Sequence, residues 1–576
     1  MDTTVKALKK RIFAARGEIP ADLVLRGGRI VNVFSGEIQE KDVAIYDGVI
    51  VGVGAHYHGK EEVDLSGKWI VPGLIDGHFH IESSMLVPCE LAAALLIHGT
   101  TTLIADPHEI ANVMGLEGIR LMLRESSALP FDFFFMAPSC VPATHLETAG
   151  ATLTASDLSA LKEESRVLGL AEMMNFPGVL MGDEEVLDKI VLFRDHIVDG
   201  HCPLLIGHGL QAYLTAGIRS DHEATDRQEG REKVESGMML MIREGTSAKD
   251  LEELLPLINN KNSHRFCFVS DDLHAEDILQ RGHLDFTVKK AIQLGLDPVT
   301  AIKLVTLNPA TYFGLKDRGA IAPGYCADVA ILDDLEIFRV TSVYKNGRIV
   351  ADHSALGNFP IDESRDTPED YKPLNIAPLS PESFRIHHSG PKARVIELVP
   401  GQLITHMSYE DVESKDGFVT PDVESDILKL SVVERHHASG HIGLALVRGF
   451  GLKRGAIASS VAHDSHNVIA VGASDDEIFG AVEEIRLMGG GLVVVCGDKT
   501  LAKTPLRLAG LMSREPLQTL VNQLQSVKKA ASSMGCGLEE PFMTLSFLAL
   551  PVIPELKLTD RGLVDVNRFE IVPLFL

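Results

Sequence analysis

The chain predicts a (β/α)8 TIM-like barrel with a small β-sandwich domain built from both flanks of the barrel, plus a separate α+β C-terminal domain. Three observations carry that fold class. Apolar or β-branched runs recur at 70–77, 100–105, 131–137, 167–173, 203–207, 218–220, 238–242 and 266–270, with amphipathic stretches such as Pro88–His98 and Val186–Val198 between most of them. Short strands with turn signals lie on both sides of that block. Ionisable residues stand at nearly every strand end, the edge where barrels of this kind collect their reactive groups.

Taken in order, residues 1–70 hold a helix and the first part of the sandwich. Met1–Arg16 is short, basic and amphipathic (Val5, Leu8, Ile12), without the apolar core of a secretory signal, and predicts a helix packed on the body. Leu23–Leu25, Arg29–Val31, Val43–Ile45 and Val49–Val53 read as strands around turns at Gly27-Gly28, Asp47-Gly48 and Ser66-Gly67. The barrel occupies 71–314. Strands return at Asp328–Leu332 and Val343–Val350, so 315–383 supplies the second part of the sandwich, ending in a linker at 354–383 marked by Pro360, Pro368, Pro373, Pro378 and Pro381. Residues 384–576 have their own alternating strands, a Gly489-Gly490-Gly491 turn and a helical pattern at 515–534.

Composition excludes several classes. Against 54 Lys and Arg stand 80 Asp and Glu, a formal charge of −26, and such a surface repels phosphate backbones and argues against a nucleic-acid partner. The seven cysteines are scattered and form no C-x-x-C, as expected of reduced thiols in a cytoplasmic protein. No apolar run reaches the ~18 residues of a membrane span. A homo-oligomer, as a dimer, is the quaternary expectation.

The strand ends point to a metal site. Ile70–Glu82 reads I-V-P-G-L-I-D-G-H-F-H-I-E, an apolar strand ending in His78 and His80. Residues two apart on a strand share a face, so both imidazoles leave the tip together and can aim at one ion. After the second run come Asp106, His108 and Glu109, after the third Ser139. The fourth ends at Glu172, the fifth at His208, the sixth at Asp221-His222-Glu223 and the eighth at Asp271-Asp272. Singly, Glu172 is explained by an arginine partner and His208 by a core hydrogen bond. Together, groups from several strand ends make a shared site the better reading.

At these residues the chain resembles the amidohydrolase superfamily, and within it the bacterial and archaeal adenine deaminases. The matching stretches are V-P-G-L-I-D-G-H-F-H-I-E-S-S-M, T-T-L-I-A-D-P-H-E-I-A-N-V, L-A-E-M-M-N-F-P-G-V, S-D-H-E, F-V-S-D-D and, from Ser459, S-S-V-A-H-D-S-H-N-V-I-A-V-G. The resemblance runs over essentially the whole chain. It implies that His78 and His80 bind one metal with Asp271, that His208 and His222 bind a second, and that Glu172 bridges them. Related hydrolases of cyclic amides and phosphotriesters use a carbamylated lysine at the bridging position, and no lysine lies between Glu164 and Asp188 here. That departure fits the adenine deaminase branch.

The implied chemistry is hydrolytic deamination of adenine to hypoxanthine and ammonia, in purine salvage. Two divalent ions would acidify a bridging water, giving hydroxide that attacks C6, while Asp271 moves the proton. Mixed oxygen and imidazole donors suit manganese or iron as well as zinc, and the resemblance favours manganese or ferrous iron. Asp106, His108 and Glu109 either polarise the purine or orient the ligand histidines. Ser83 and Ser84 either line the pocket or cap the next helix, and Glu223 is a further substrate-binding candidate. His80-Ile81-Glu82 followed by Pro88-Cys89 imitates the zinc deaminase signature H-x-E…P-C-x-x-C, but Ala92 stands where the second cysteine is needed and the span is too short.

A second polar cluster lies in the C-terminal domain: Glu434, His436, His437, His441 and His463–Asn467. It either folds over the barrel mouth or forms a network inside the domain or at a subunit interface. Two other function classes stay open, a hydrolase of N-acyl amino acids or cyclic amides and a scaffold with a degraded site.

Overall fold

A computed structural model describes residues 4–353, 355–357 and 374–576. Most of the anticipated linker, with Pro360, Pro368 and Pro373, lies outside the described residues.

The two flanks of the barrel are joined in one sheet. Residues 21–72 and 329–356 form one nine-stranded sheet, joined where Trp69–Pro72 pairs antiparallel with Val329–Asp334. Its alternating residues Leu23, Leu25, Ile30, Val43, Ile45, Ile50, Val329 and Ile331 bury a common core. The N-terminal helix Val5–Ala15 lies against this sheet with Ala7 and Ala14 buried. The run at 70–77 is two strands rather than one. It divides at Gly73, whose added Cβ would lie 2.4 Å from Thr101 Oγ1, so the chain can leave the flanking sheet and enter the barrel there.

The barrel strands are β1 (Leu74–Phe79), β2 (Thr100–Ala105), β3 (Asp132–Ala137), β4 (Val167–Met173), β5 (Ile197–Gly200), β6 (Ser220–Asp221), β7 (Met239–Arg243) and β8 (Phe266–Val269). All ladders are parallel, in the orders 5-4-3-2-1 and 6-7-8. The ring closes at two seams: Arg219 N–H donates to Val198 O at 3.1 Å, and Asp271 N–H donates to His78 O at 3.0 Å. Ile75, Ile104, Met136, Ala171, Met239, Met241, Cys267 and Val269 fill one apolar cluster from six of the eight strands. This is a packed interior, not a pore, so reactive groups are confined to the ends of the strands.

The fifth strand departs from expectation. Residues 203–207 are not a strand: Leu204 is 72% exposed, Ile206 is 45% exposed, and a helix (Gly207–Thr215) begins there. The strand is the preceding I-V-D-G. Its Asp199 and Gly200 interrupt the apolar pattern, and its first residues had been absorbed into an anticipated helix that ends at Leu192.

Beyond residue 384 an eight-stranded sheet packs against helices Asp475–Met488 and Leu517–Ser533, close to the helical pattern read at 515–534. Residues 374–379, at the linker's end, pack Leu374, Ile376 and Leu379 onto this domain's core. The domain is tied to the barrel side by backbone pairing of Ser513 with Met85 and Val87, at 2.8 and 3.2 Å, and by Thr559 Oγ1 donating to Leu146 O at 2.6 Å.

Candidate active site

Glu172, the last ionisable residue of β4, is the hub. One oxygen, Oε1, lies 3.3 Å from His80 Nε2, 3.7 Å from His108 Nδ1 and 3.9 Å from His78 Nε2. The other, Oε2, lies 2.6 Å from His201 Nδ1 and 3.1 Å from His222 Nε2. Asp271, just past β8, places Oδ1 3.2 Å from His78 Nε2 and 3.1 Å from His80 Nε2. These groups are buried, apart from a partly exposed His201. Burial opposes charge on Glu172, yet His222 and His201 hold it well below the usual carboxylate range. Asp271 is likewise held down, by His78 and His80 against its own burial. For His222 burial works against protonation, but Glu172 lifts it to about 9.

The supporting contacts orient these rings. His80 Nδ1 lies 3.2 Å from Asp106 O, an acceptor only, so Nδ1 carries a hydrogen and Nε2 is directed at the carboxylates. The hydroxyl of Tyr213 donates to Met173 O at 2.8 Å and accepts the backbone N–H of His201 at 3.0 Å, fixing the ends of β4 and β5 together. Arg243 ends β7 buried, with Nη1 on Asp271 Oδ2 at 3.2 Å and on Glu223, and Nε on Asp250 at 3.1 Å.

These residues fit a metal centre. His78 Nε2 is buried and lacks a hydrogen-bond partner, although it faces two carboxylates. Two donor groups, His78–His80–Glu172 and Glu172–His201–His222, share Glu172, and a third, His78–His222–Asp271, links them. Imidazole with carboxylate is a donor set that divalent transition cations prefer.

The structure brings together His78, His80, His108, Glu172, His222 and Asp271. His208 does not join them: it is exposed on the helix Gly207–Thr215, and His201 occupies the end of β5 instead. The error follows from the displaced fifth strand; a histidine directly after Asp199-Gly200 was the available signal. Arg243 was also missed, because the seventh run ends in apolar residues and nothing marked the next position. Asp106 stands behind the site, its Oδ1 accepting the His108 N–H at 3.1 Å. Ser83 donates to Asp272 at 2.5 Å and to Glu109 at 3.3 Å, whereas Ser84 is structural, donating to Ile81 O at 2.6 Å. Glu223 faces His222 at 3.5 Å but is engaged by Arg243.

The C-terminal cluster divides. Glu434 accepts the backbone N–H groups of His437 and Ser439, at 2.7 and 2.8 Å, and organises its own loop. His441 lies 3.7 Å from Asp560, within its own domain. His437 Nε2 lies 3.0 Å from Ala149 O, at the seam between the units. His463 and His466 instead reach Glu109 at the barrel mouth.

A model of the amidohydrolase family matches residues 69–350, and one of the adenine deaminase C-terminal domain matches 402–570. Over 567 residues the chain is 50% identical to the adenine deaminase of Desulfatibacillum aliphaticivorans, covering 98% of this chain and 99% of that one. It is 47% identical over 573 residues to the adenine deaminase of Geobacillus kaustophilus, with 98% and 99% covered. It is 46% identical over 577 residues to adenine deaminase 2 of Carboxydothermus hydrogenoformans, with 99% and 100% covered. With a barrel whose hub is Glu172 and similarity along its whole length, the chain belongs to the adenine deaminase family, within the amidohydrolases.

Proposed function

We propose that this protein deaminates adenine hydrolytically, giving hypoxanthine and ammonia. The observation that carries this reading is Glu172, a carboxylate at the hub with five imidazoles within 3.9 Å, in a chain aligned end to end with adenine deaminases. Two divalent cations, manganese by preference over iron or zinc, would be held by His78, His80 and Asp271 and by His201 and His222, with Glu172 between. Bound there they supply the Lewis acidity that makes water nucleophilic at neutral pH.

The side chains do the rest. Water oxygen adds to C6 of the purine, the C6–N6 bond breaks, and the oxygen remains on hypoxanthine. Asp271, anchored by Arg243 through Oδ2, takes the water proton and passes it to the departing amine. Glu172 and His108 complete the catalytic set, with Ser83 and Glu109 facing the substrate and Asp106 and Glu223 supporting His108 and His222. The units 1–70, 71–314, 315–383 and 384–576 belong to this proposal, as does a homodimeric, cytoplasmic enzyme of purine salvage. Among the described residues no helix is long and apolar enough to cross a membrane.

Ammonia release from adenine by manganese-loaded protein, beside adenosine, guanine and cytosine, tests the reading. Turnover of adenine, abolished by Asp271→Asn with the metals retained, is expected. No turnover with both metals bound refutes it and moves the search to cyclic amides.

A further inference from the structure

The loop between strands Ala456–Ser459 and Val468–Gly472 ends in five consecutive polar residues that are all buried: His463, Asp464, Ser465, His466 and Asn467. It lies over the barrel mouth against Glu109. His463 Nδ1 stands 3.3 Å from Glu109 Oε1, and His466 Nε2 stands 3.6 Å from Glu109 Oε2. Ser83 Oγ donates to Oε1 at 3.3 Å. Two imidazoles around one carboxylate admit either a cation or a set of N–H donors.

The backbone decides for His466. Ala462 N–H donates to its Nδ1 at 3.2 Å, so Nδ1 bears no hydrogen and Nε2 of the neutral ring must bear it. An Nε2 that carries hydrogen is a donor to a carboxylate and has no lone pair for a metal. Both His466 Nε2 and Glu109 Oε2 are buried and otherwise unpartnered, which leaves them each other. The His463 ring is fixed by stacking on Phe547, with centroids 4.5 Å apart and planes inclined 24°. The loop is itself braced, since Arg435 donates to His466 O and, at 3.0 Å, to Ala509 O, while Asn467 Nδ2 donates to Thr148 O at 2.9 Å.

We propose that His463 and His466 are positioning residues for the deamination. From the C-terminal domain they hold the Glu109 carboxylate in one orientation, facing Ser83 and Asp272, where it accepts an N–H of the aminopurine. The barrel alone then lacks a properly set substrate acceptor. This inference rests on the adenine reading for its substrate, but not for the geometry of the loop.

The test combines single and double variants of Glu109→Gln, His463→Gln and His466→Gln, with metal content and thermal midpoint measured for each. Each histidine variant is expected to lower kcat/KM for adenine on the order of 10- to 100-fold with metal content unchanged. On top of Glu109→Gln, either histidine change should add no more than about threefold. Full additive losses in the doubles, or losses that track missing metal, overturn the proposal. A readout free of turnover comes from 15N-histidine spectra of the wild-type protein. They should show His466 protonated on Nε2, its resonance displaced by Glu109→Gln, and a ring protonated on Nδ1 overturns the proposal even if every variant misfolds. If wild-type protein releases no ammonia from adenine, the adenine reading fails while the spectrum still decides the role of the loop.

Discussion

Lys233→Met should be the most damaging single change outside the ligand set. Lys233 is wholly enclosed on the helix Arg227–Glu235, and its ammonium donates to Cys202 O at 2.7 Å, Asp221 Oδ2 at 2.8 Å and Glu229 Oε1 at 2.6 Å. Cys202 follows His201 and Asp221 precedes His222, so one cation ties together the ends of β5 and β6 where two site imidazoles begin. Methionine fills the space but leaves Asp221 buried without a counter-charge. Breaking such a pair costs about 3–5 kcal/mol. At about 2–4 °C per kcal/mol for a unit of barrel size, the barrel transition should fall by roughly 6–20 °C in scanning calorimetry. The acid limb adds a check. Burial raises the Asp221 pKa, but Lys233 outweighs it and brings it to about 2. A depressed carboxyl stabilises the fold above its unfolded value of ~3.9 and loses that contribution as pH falls through the folded one. The gap between wild type and variant should therefore be fully present at neutral pH and narrow on acidification, as Asp221 is protonated first in the variant and then in the wild type. A loss worth less than about 1 kcal/mol, or a gap that widens in acid, would refute this reasoning.

The other expectations are more local. His201→Asn should lower metal affinity on the order of 10- to 100-fold or more, while His208→Asn leaves metal content and activity at wild-type levels; metal analysis of both proteins separates the two placements of the fifth strand. Gly169→Ala puts a Cβ 2.0 Å from Ile197 O, so β4 and β5 must part beside Glu172, and denaturant titration should show a loss of about 1–3 kcal/mol or more. Burial, helped by Asp464, raises the Glu147 carboxyl from 4.5 to about 8. The folded state then holds a proton that the unfolded state releases, so stability should fall between about pH 4.5 and 8. Glu147→Gln, which mimics the protonated form, should remove that slope from the denaturant midpoints.

Much of this molecule was legible in its sequence, for identifiable reasons. Buried parallel strands are largely apolar runs, and six of eight announced themselves that way; the sixth is only Ser220–Asp221, without an apolar run. His78 and His80 were readable because alternation on a strand is rigid, so spacing alone fixes a shared face. Glu172, His222 and Asp271 followed from the rule that strand ends collect the chemistry. The fifth strand failed because Ile197–Gly200 contains Asp199, whose carboxylate accepts from Tyr312 at 2.8 Å and Ser220 at 2.7 Å inside the barrel. A buried polar residue with tertiary partners looks like a loop when the partners are unknown. The exposed apolar pair Leu204 and Ile206 supplied the opposite false signal.

The role of the C-terminal histidines lay further out of reach, and the reason is general to sites shared between domains. His463 and His466 have no periodicity or spacing that relates them to Glu109; only the docking of the sheet onto the barrel does that. What the sequence did contain was a conflict. Its run of His, Asp, Ser, His and Asn sits between two buried, mostly apolar strands, where unpartnered polar groups are costly. Such a segment must find partners, and its own strands, whose backbone groups are paired with each other, offer few. Among the described residues, Glu109 and His108 on the barrel side are also buried and each has an unpartnered side-chain atom. Docking brings the His463 and His466 rings to 3.3 and 3.6 Å from the Glu109 carboxylate, a neighbour that neither surface has alone.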